Sequence, residues 1–135
     1  MRQVELSRLS KEIRTMKDGM YYIEFAGVAG AGGGCLVFES GAVFGADTGG
    51  GKYDGKYQFN ENTGLVDLSL KVIMAANSQS VLGPSHPYEW SLNVKTEMDP
   101  NKDSGPLLVK TILGTKPGPV LRASYEFVRS LPKAA

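Results

Sequence analysis

Hydrophobic and polar residues alternate along most of the chain, which is the pattern of β-strands with one buried and one exposed face. Between Leu65 and Met74 every second residue is apolar, and Asp67, Ser69 and Lys71 lie between the apolar positions. Such alternation predicts antiparallel strands, because the strands of parallel sheets are usually buried on both faces. The same pattern recurs in three further segments, namely Tyr53–Phe59, Trp90–Val94 and Leu121–Phe127.

Turn-forming residues separate the alternating segments at short intervals. Ser40-Gly41 predicts a two-residue hairpin between Cys35–Glu39 and Ala42–Asp47, and Asn60–Gly64 predicts a second hairpin loop. Three later clusters rich in proline, glycine, asparagine or aspartate predict further loops, at 84–87, 99–103 and 115–118. About eight strands with no helix between them indicate a β-sandwich or a β-barrel.

Glycine favours the barrel over the sandwich. The chain has 17 glycines, well above the usual share of about 7%. Gly45 and Gly55 fall inside strand patterns, where glycine permits the bulges and sharp coiling that close a small barrel. The predicted fold is therefore all-β, a closed antiparallel up-and-down barrel of about eight strands over residues 18–132.

The glycine-rich run Gly27–Gly34 invites comparison with a dinucleotide-binding loop. A Gly-x-Gly-x-x-Gly motif beginning at Gly30 would end at position 35, where the chain has Cys35. The run also leads into a strand pattern, so it offers no helix N-terminus to a pyrophosphate. We therefore expect a flexible connection between strands and not a nucleotide site.

Residues 1–17 form a basic amphipathic arm in the sequence. Five basic and two acidic residues up to Lys17 give a local charge of +3. Leu6, Leu9, Ile13 and Met16 recur at helical spacing and predict a short N-terminal helix from Val4 to Met16. We expect the apolar side of this helix to pack on the core or against a second copy of the chain. An alternative is that translation begins at Met16.

Composition argues against several classes of function. The formal net charge of +1 does not favour nucleic-acid binding, and no apolar stretch is long enough to cross a membrane as a helix. The chain has one cysteine, Cys35, and one histidine, His86, so we predict no intrachain disulfide, no metal site, no cofactor and no enzymatic activity. We expect Cys35 to be an inert core residue and His86 to lie on a surface loop. The predicted location is the cytoplasm.

Aromatic residues occur in nearly every predicted strand, and two interpretations remain open. They fill the barrel core, or some of them line a cavity, because eight strands enclose room for side chains or for one small ligand. In the second case the protein carries a small apolar molecule. The candidate lining residues are Tyr57, Phe59, Met74, Trp90 and Tyr125.

The segment Met16–Tyr21, followed by Ile23 and Phe25, resembles the opening of the GrlR family of negative regulators of bacterial type III secretion. The resemblance continues through Ser40-Gly41 and Gly45–Asp47 to about residue 132. It implies a lipocalin-like eight-stranded barrel that forms a homodimer and sequesters a helix-turn-helix transcriptional activator.

The resemblance also implies a partner-binding loop. The family's acidic hairpin loop corresponds here to the four candidate partner-binding residues Asn60, Glu61, Asn62 and Thr63. One acidic residue stands where the family's loop has four. The sequence thus predicts a GrlR-like regulatory binding protein that acts through another protein, with the small-molecule carrier as the alternative.

Overall fold

The alternation in the sequence becomes an alternation of burial along eight paired strands. The computed structural model describes residues 16–134, which form a closed antiparallel barrel. Each strand pairs with the next along the chain, and β8 closes onto β1, so the predicted eight-stranded up-and-down barrel is confirmed. The strands are β1 (Gly19–Gly27), β2 (Gly30–Glu39), β3 (Ala42–Asp47), β4 (Gly51–Asn60), β5 (Leu65–Met74), β6 (Trp90–Met98), β7 (Ser104–Leu113) and β8 (Lys116–Arg129).

The apolar positions of each strand form the core. In β5 the side chains of Val66, Leu68, Leu70, Val72 and Met74 are all buried, while Asp67 and Lys71 face solvent. Strand β6 repeats the pattern with Leu92, Val94 and Met98. The N-terminal helix predicted over Val4–Met16 lies outside the described residues except for Met16, which is buried in the barrel core.

The first predicted hairpin is confirmed. Glu39 pairs with Ala42, and Ser40 and Gly41 both have positive φ, at 49° and 92°. Two successive left-handed residues are what a two-residue turn between twisted strands requires. The second hairpin, between Asn60 and Leu65, is confirmed as well.

The loop predicted at 115–118 is wrong in its position. The turn lies at Gly114-Thr115, where Gly114 has a φ of 65°. Lys116 already pairs with Leu113, and Pro117 pairs with Ile112 in the β7–β8 ladder. The cluster of turn-forming residues therefore marked the start of β8 and not the turn before it.

The glycine-rich run is also not the flexible connection that we predicted. The turn consists of Val28 and Ala29, and β2 begins at Gly30. Inside β2 the glycines allow neighbours to approach closely. A Cβ on Gly32 would lie 2.9 Å from the ring of Phe25, and one on Gly34 would overlap the carbonyl oxygen of Ala46. Strand pairing and the ring above Gly32 hold this segment in extended form.

Gly45 and Gly55 mark close contacts between strands, but neither carries the bulge that we expected. A Cβ on Gly55 would overlap the carbonyl oxygen of Ser69, and one on Gly45 that of Cys35. The register is regular at both glycines. The register shifts occur elsewhere, after Met20 in the β1–β8 ladder and after Lys110 in the β7–β8 ladder.

The two ends of the barrel have different interiors. At the end of the Ser40-Gly41 hairpin, which we call the aromatic end, the ring of Tyr21 lies 4.6 Å from Phe38 and 5.2 Å from Phe127, measured between centroids. Lys17 lies 4.2 Å above the Phe127 ring and pairs with Asp103 at 2.7 Å. At the opposite end, which we call the lid end, the β5–β6 connection of residues 75–89 covers the barrel, and we call this connection the lid.

Replacing Gly55 by alanine tests the close strand contact. We expect Gly55→Ala to lower the free energy of unfolding by about 2–4 kcal/mol, because its Cβ has no space beside the Ser69 carbonyl. The matched control is Gly105→Ala, in which the nearest atom to the new Cβ lies 3.4 Å away, in the ring of Tyr125. Urea unfolding measures both variants. Equal stability of the two variants would show that β4 and β5 can accommodate a Cβ at position 55.

Candidate functional site

The barrel interior contains a cavity of about 170 Å³ at the lid end. It lies there because the inner positions of the aromatic end carry large rings, whereas Gly32 and Ala123 are among the inner positions at the lid end. Eight strands enclose only enough space for side chains or one small ligand. The size of a few inner residues therefore decides which end has room.

The cavity wall is mostly aliphatic. Strands β5, β6 and β7 contribute alternate inward side chains, and β1 and β8 complete the circle with Ile23, Phe25 and Leu121. On β5, β6 and β7, the only hydroxyl group that lines the cavity is that of Thr96. Its Oγ1 donates to the carbonyl oxygen of Leu108 at 2.9 Å. The lining residues from β5 to β7 are Leu68, Leu70, Val72, Met74, Leu92, Val94, Thr96, Leu107 and Val109.

Backbone hydrogen bonds hold the lid over the cavity. The amide of Ala29 donates to the Val81 carbonyl at 2.9 Å, and the amide of Ala75 donates to the Gly50 carbonyl at 3.3 Å. A Cβ on Gly27 would overlap the Val81 carbonyl oxygen, so glycine is required for this close approach. Val81 and Leu82 then add apolar surface to the cavity from the lid side.

The mouth of the cavity lies where its lining residues are exposed. These residues are Ala31, Thr48, Gly49 and Gln79, which belong to β2, the β3–β4 turn and the lid. The cavity therefore reaches the surface between the β3–β4 turn and the lid.

Among residues 16–134, Asp47 is the charged residue that lines the cavity, and it lies next to the mouth. Its Oδ1 accepts hydrogen bonds from the amides of Gly49 and Gly51 at 2.9 and 2.8 Å. Its Oδ2 accepts a hydrogen bond from the hydroxyl of Tyr53, which also lines the cavity. Burial, and then the hydrogen bond to Asp47, raise the pKa of Tyr53 far above its ordinary value.

The structure places the five predicted lining residues in different parts of the barrel. Met74 lines the cavity, and Trp90 packs against the core at the start of β6 without being among the lining residues. Tyr57, Phe59 and Tyr125 belong to the aromatic end. There the Tyr57 hydroxyl donates to Asp18 Oδ1 at 2.7 Å, and the Tyr125 hydroxyl lies 3.1 Å from the carbonyl oxygens of Asp99 and Lys102.

The predicted partner-binding loop is a hydrogen-bonded hairpin turn. Asn60 Oδ1 accepts from the amides of Asn62 and Thr63 at 2.9 and 3.3 Å, and its Nδ2 donates to Asp67 at 3.1 Å. Glu61, Asn62 and Thr63 are exposed at the aromatic end. Asn60 thus shapes this loop, which lies at the other end of the barrel from the cavity.

The one cysteine and the one histidine of the sequence belong to different elements, β2 and the lid. Cys35 alternates with the inward residues Gly34 and Leu36, and is therefore a half-buried residue of the outer wall and not the core residue that we expected. His86 belongs to the lid, half-buried and stacked on Tyr88 with ring centroids 5.0 Å apart. Its ring also meets Trp90 edge-on at 5.3 Å.

Sequence reasoning missed Asp47, Tyr53 and the lid residues as members of one site. One signal was available for Asp47. Val43 and Gly45 are inward positions of β3, so alternation places Asp47 inside the barrel as well. A carboxylate at an inward position of a β-barrel needs hydrogen-bond donors around it, and it is therefore a sign of a polar site.

Other kinds of site find no support in residues 16–134. No group of three or more histidine, cysteine, aspartate or glutamate side chains in this range is placed to hold a metal ion. This part of the chain also contains no helix with the length and apolarity needed to cross a membrane.

Comparisons with known proteins add no assignment. No protein-family model matches the chain, and a search of curated proteins gives no match.

The raised tyrosine pKa values predict a loss of stability in alkali. The pKa values of Tyr21, Tyr53 and Tyr57 all lie above the ordinary 10.0, and burial is the largest cause of the increase in each. The folded state therefore holds these protons more tightly than the unfolded state, and the stabilisation is complete only below about pH 10. Above that pH we expect the unfolding free energy to fall by up to about 1.4 kcal/mol per pH unit for each fully buried tyrosine.

Tyr53→Phe should make this alkaline decline less steep, while costing about 1 kcal/mol at pH 7 for the lost hydrogen bond to Asp47. The matched control is Tyr88→Phe, because Tyr88 is an exposed residue of the lid and phenylalanine keeps the ring that stacks on His86. Urea unfolding at several pH values from 8 to 11.5 compares the slopes. An unchanged slope in Tyr53→Phe would contradict the assignment.

Proposed function

We propose that this protein binds a small, largely apolar molecule in the cavity at the lid end. One observation carries the proposal, namely a cavity of about 170 Å³ with a mostly aliphatic wall and a mouth at the surface. An apolar cavity of about 150 Å³ is large enough to bind benzene. The volume therefore supports a ligand with one ring or a short branched chain, and not a long acyl chain.

The energetics of the cavity support the same proposal. Unfilled apolar space inside a protein costs about 24 cal/mol per Å³ in stability, so a ligand that fits stabilises the folded state. The lid supplies the remaining wall through Val81 and Leu82 and leaves the mouth beside Gly49. In this sense we describe the barrel as lipocalin-like, since lipocalins are eight-stranded up-and-down barrels that hold one ligand.

Sequestration of another protein stays a prediction from the sequence. It rests on the resemblance to the GrlR family. The homodimer, the cytoplasmic location and the helix-turn-helix partner are likewise predictions and not observations. The hydrogen bonds that Asn60 accepts from the amides of Asn62 and Thr63 account for the shape of that loop. We therefore propose ligand binding in the cavity ahead of the sequestration of another protein.

Enlarging a side chain inside the cavity tests the proposal. We expect benzyl alcohol to bind the protein with a dissociation constant of about 1 mM or below, which is about −4.1 kcal/mol. Ala123→Leu should weaken this binding at least about tenfold, because the added carbons occupy part of the cavity beside Leu107. Isothermal titration calorimetry measures both affinities.

The control variant is Ala46→Leu, in which the same change is made at an exposed position of β3. It should bind benzyl alcohol like the unchanged protein. The proposal would be overturned if the unchanged protein bound neither benzyl alcohol nor toluene, or if both leucine variants bound benzyl alcohol equally well.

A further inference from the structure

We propose that the ligand of this cavity is an amphipathic cation, a small apolar body with a protonated amine that pairs with Asp47. This inference rests on the proposed function, since it names the chemical class of the molecule bound in the same cavity. Its starting point is the charge of the wall. Asp47 lines the cavity, and within residues 16–134 no lysine, arginine or histidine is among the lining residues.

The carboxylate of Asp47 has capacity for one more donor. An ionised carboxylate offers about four acceptor positions. Gly49, Gly51 and Tyr53 donate to three of them, two on Oδ1 and one on Oδ2. These three bonds fix the orientation of the carboxylate, and the remaining position on Oδ2 is the place for an ammonium N–H of the ligand.

The position of Asp47 matches the shape of an amphipathic molecule. Thr48, Gly49 and Gln79 are exposed lining residues near Asp47, whereas the wall formed by Leu92 and Val94 is buried. An ammonium group at the mouth keeps part of its hydration, which reduces the cost of burying a charge. The apolar body then occupies the aliphatic interior, where its burial contributes the hydrophobic part of the affinity.

The same wall disfavours an acidic ligand. A fatty-acid or aromatic carboxylate in this cavity would place its charge near Asp47, and the described part of the chain supplies no lining cation to compensate. Like charges in a poorly hydrated site repel each other, and an unpaired buried charge is costly. Charge therefore divides ligands of equal size into those that the cavity accepts and those that it rejects.

Three ligands of similar size test the inference, namely benzylamine, benzyl alcohol and phenylacetate at pH 7. We expect benzylamine to bind the unchanged protein about tenfold more tightly than benzyl alcohol, as a charge-assisted hydrogen bond allows. Phenylacetate should bind at least about tenfold more weakly than benzyl alcohol. Titration calorimetry supplies the affinities, and the single tryptophan, Trp90, gives a fluorescence signal beside the lid.

Asp47→Asn removes the charge and keeps an oxygen that can accept from Gly49 and Gly51. In this variant we expect benzylamine and benzyl alcohol to bind within about threefold of each other, and phenylacetate to gain affinity. Asp54→Asn is the matched control, because Asp54 is an exposed carboxylate on the outer face of β4. It should keep the full preference for benzylamine.

Benzyl alcohol separates failure of this inference from failure of the proposed function. If Asp47→Asn still binds benzyl alcohol, its cavity is intact, and loss of the benzylamine preference supports the role of Asp47. If benzyl alcohol binds the unchanged protein but benzylamine gains nothing, the inference is overturned and the cavity remains a neutral-ligand site. If none of the three ligands binds, this inference is overturned, and the proposed function is overturned as well when toluene also fails to bind.

Discussion

Closure of the sheet by the β1–β8 ladder is the constraint on which the rest of the structure depends. Seven paired positions, from Met20 with Arg129 to Ala26 with Arg122, join the first strand to the last. Closure removes the unpaired edges that an open sheet would expose. It also fixes the interior volume, so that every second residue of every strand points into a space of set size. Where those residues are large the space is filled, and where they are small a cavity remains.

The two ends of the barrel differ in what fills the interior. At the aromatic end, the rings of Tyr21 and Phe38 pack closely. The Tyr21 hydroxyl donates to the backbone, and the Tyr57 hydroxyl donates to Asp18. At the lid end, small residues and a covering loop leave room beside Asp47. The rings of the aromatic end are not part of the cavity wall, whereas Leu68, Leu70 and Val72 belong both to the core and to that wall. Proteins commonly place binding sites on such a rigid scaffold.

The sequence predicted the barrel well because alternation and turn residues are local signals. The β5 pattern from Val66 to Met74 placed each side chain on the correct face. The site was less accessible, because a cavity depends on which inward residues meet across the barrel. Cys35 was misplaced because its face depends on register with Tyr22 and Ala46, not on the apolar residues beside it. The run Gly27–Gly34 was misassigned because its extended form depends on neighbouring strands.

The order of pairing has a consequence for folding kinetics. Seven of the eight ladders join strands that are consecutive in the chain, so each forms as a hairpin with a short connection or, for β5–β6, across the lid. The closing ladder joins Ile23 to Tyr125, near opposite ends of the chain, and the entropy of this long loop delays its formation. The cavity is complete only after that step, because Phe25 on β1 and Ala123 on β8 belong to its wall. A ligand of the closed barrel therefore acts mainly by slowing unfolding and not by speeding folding.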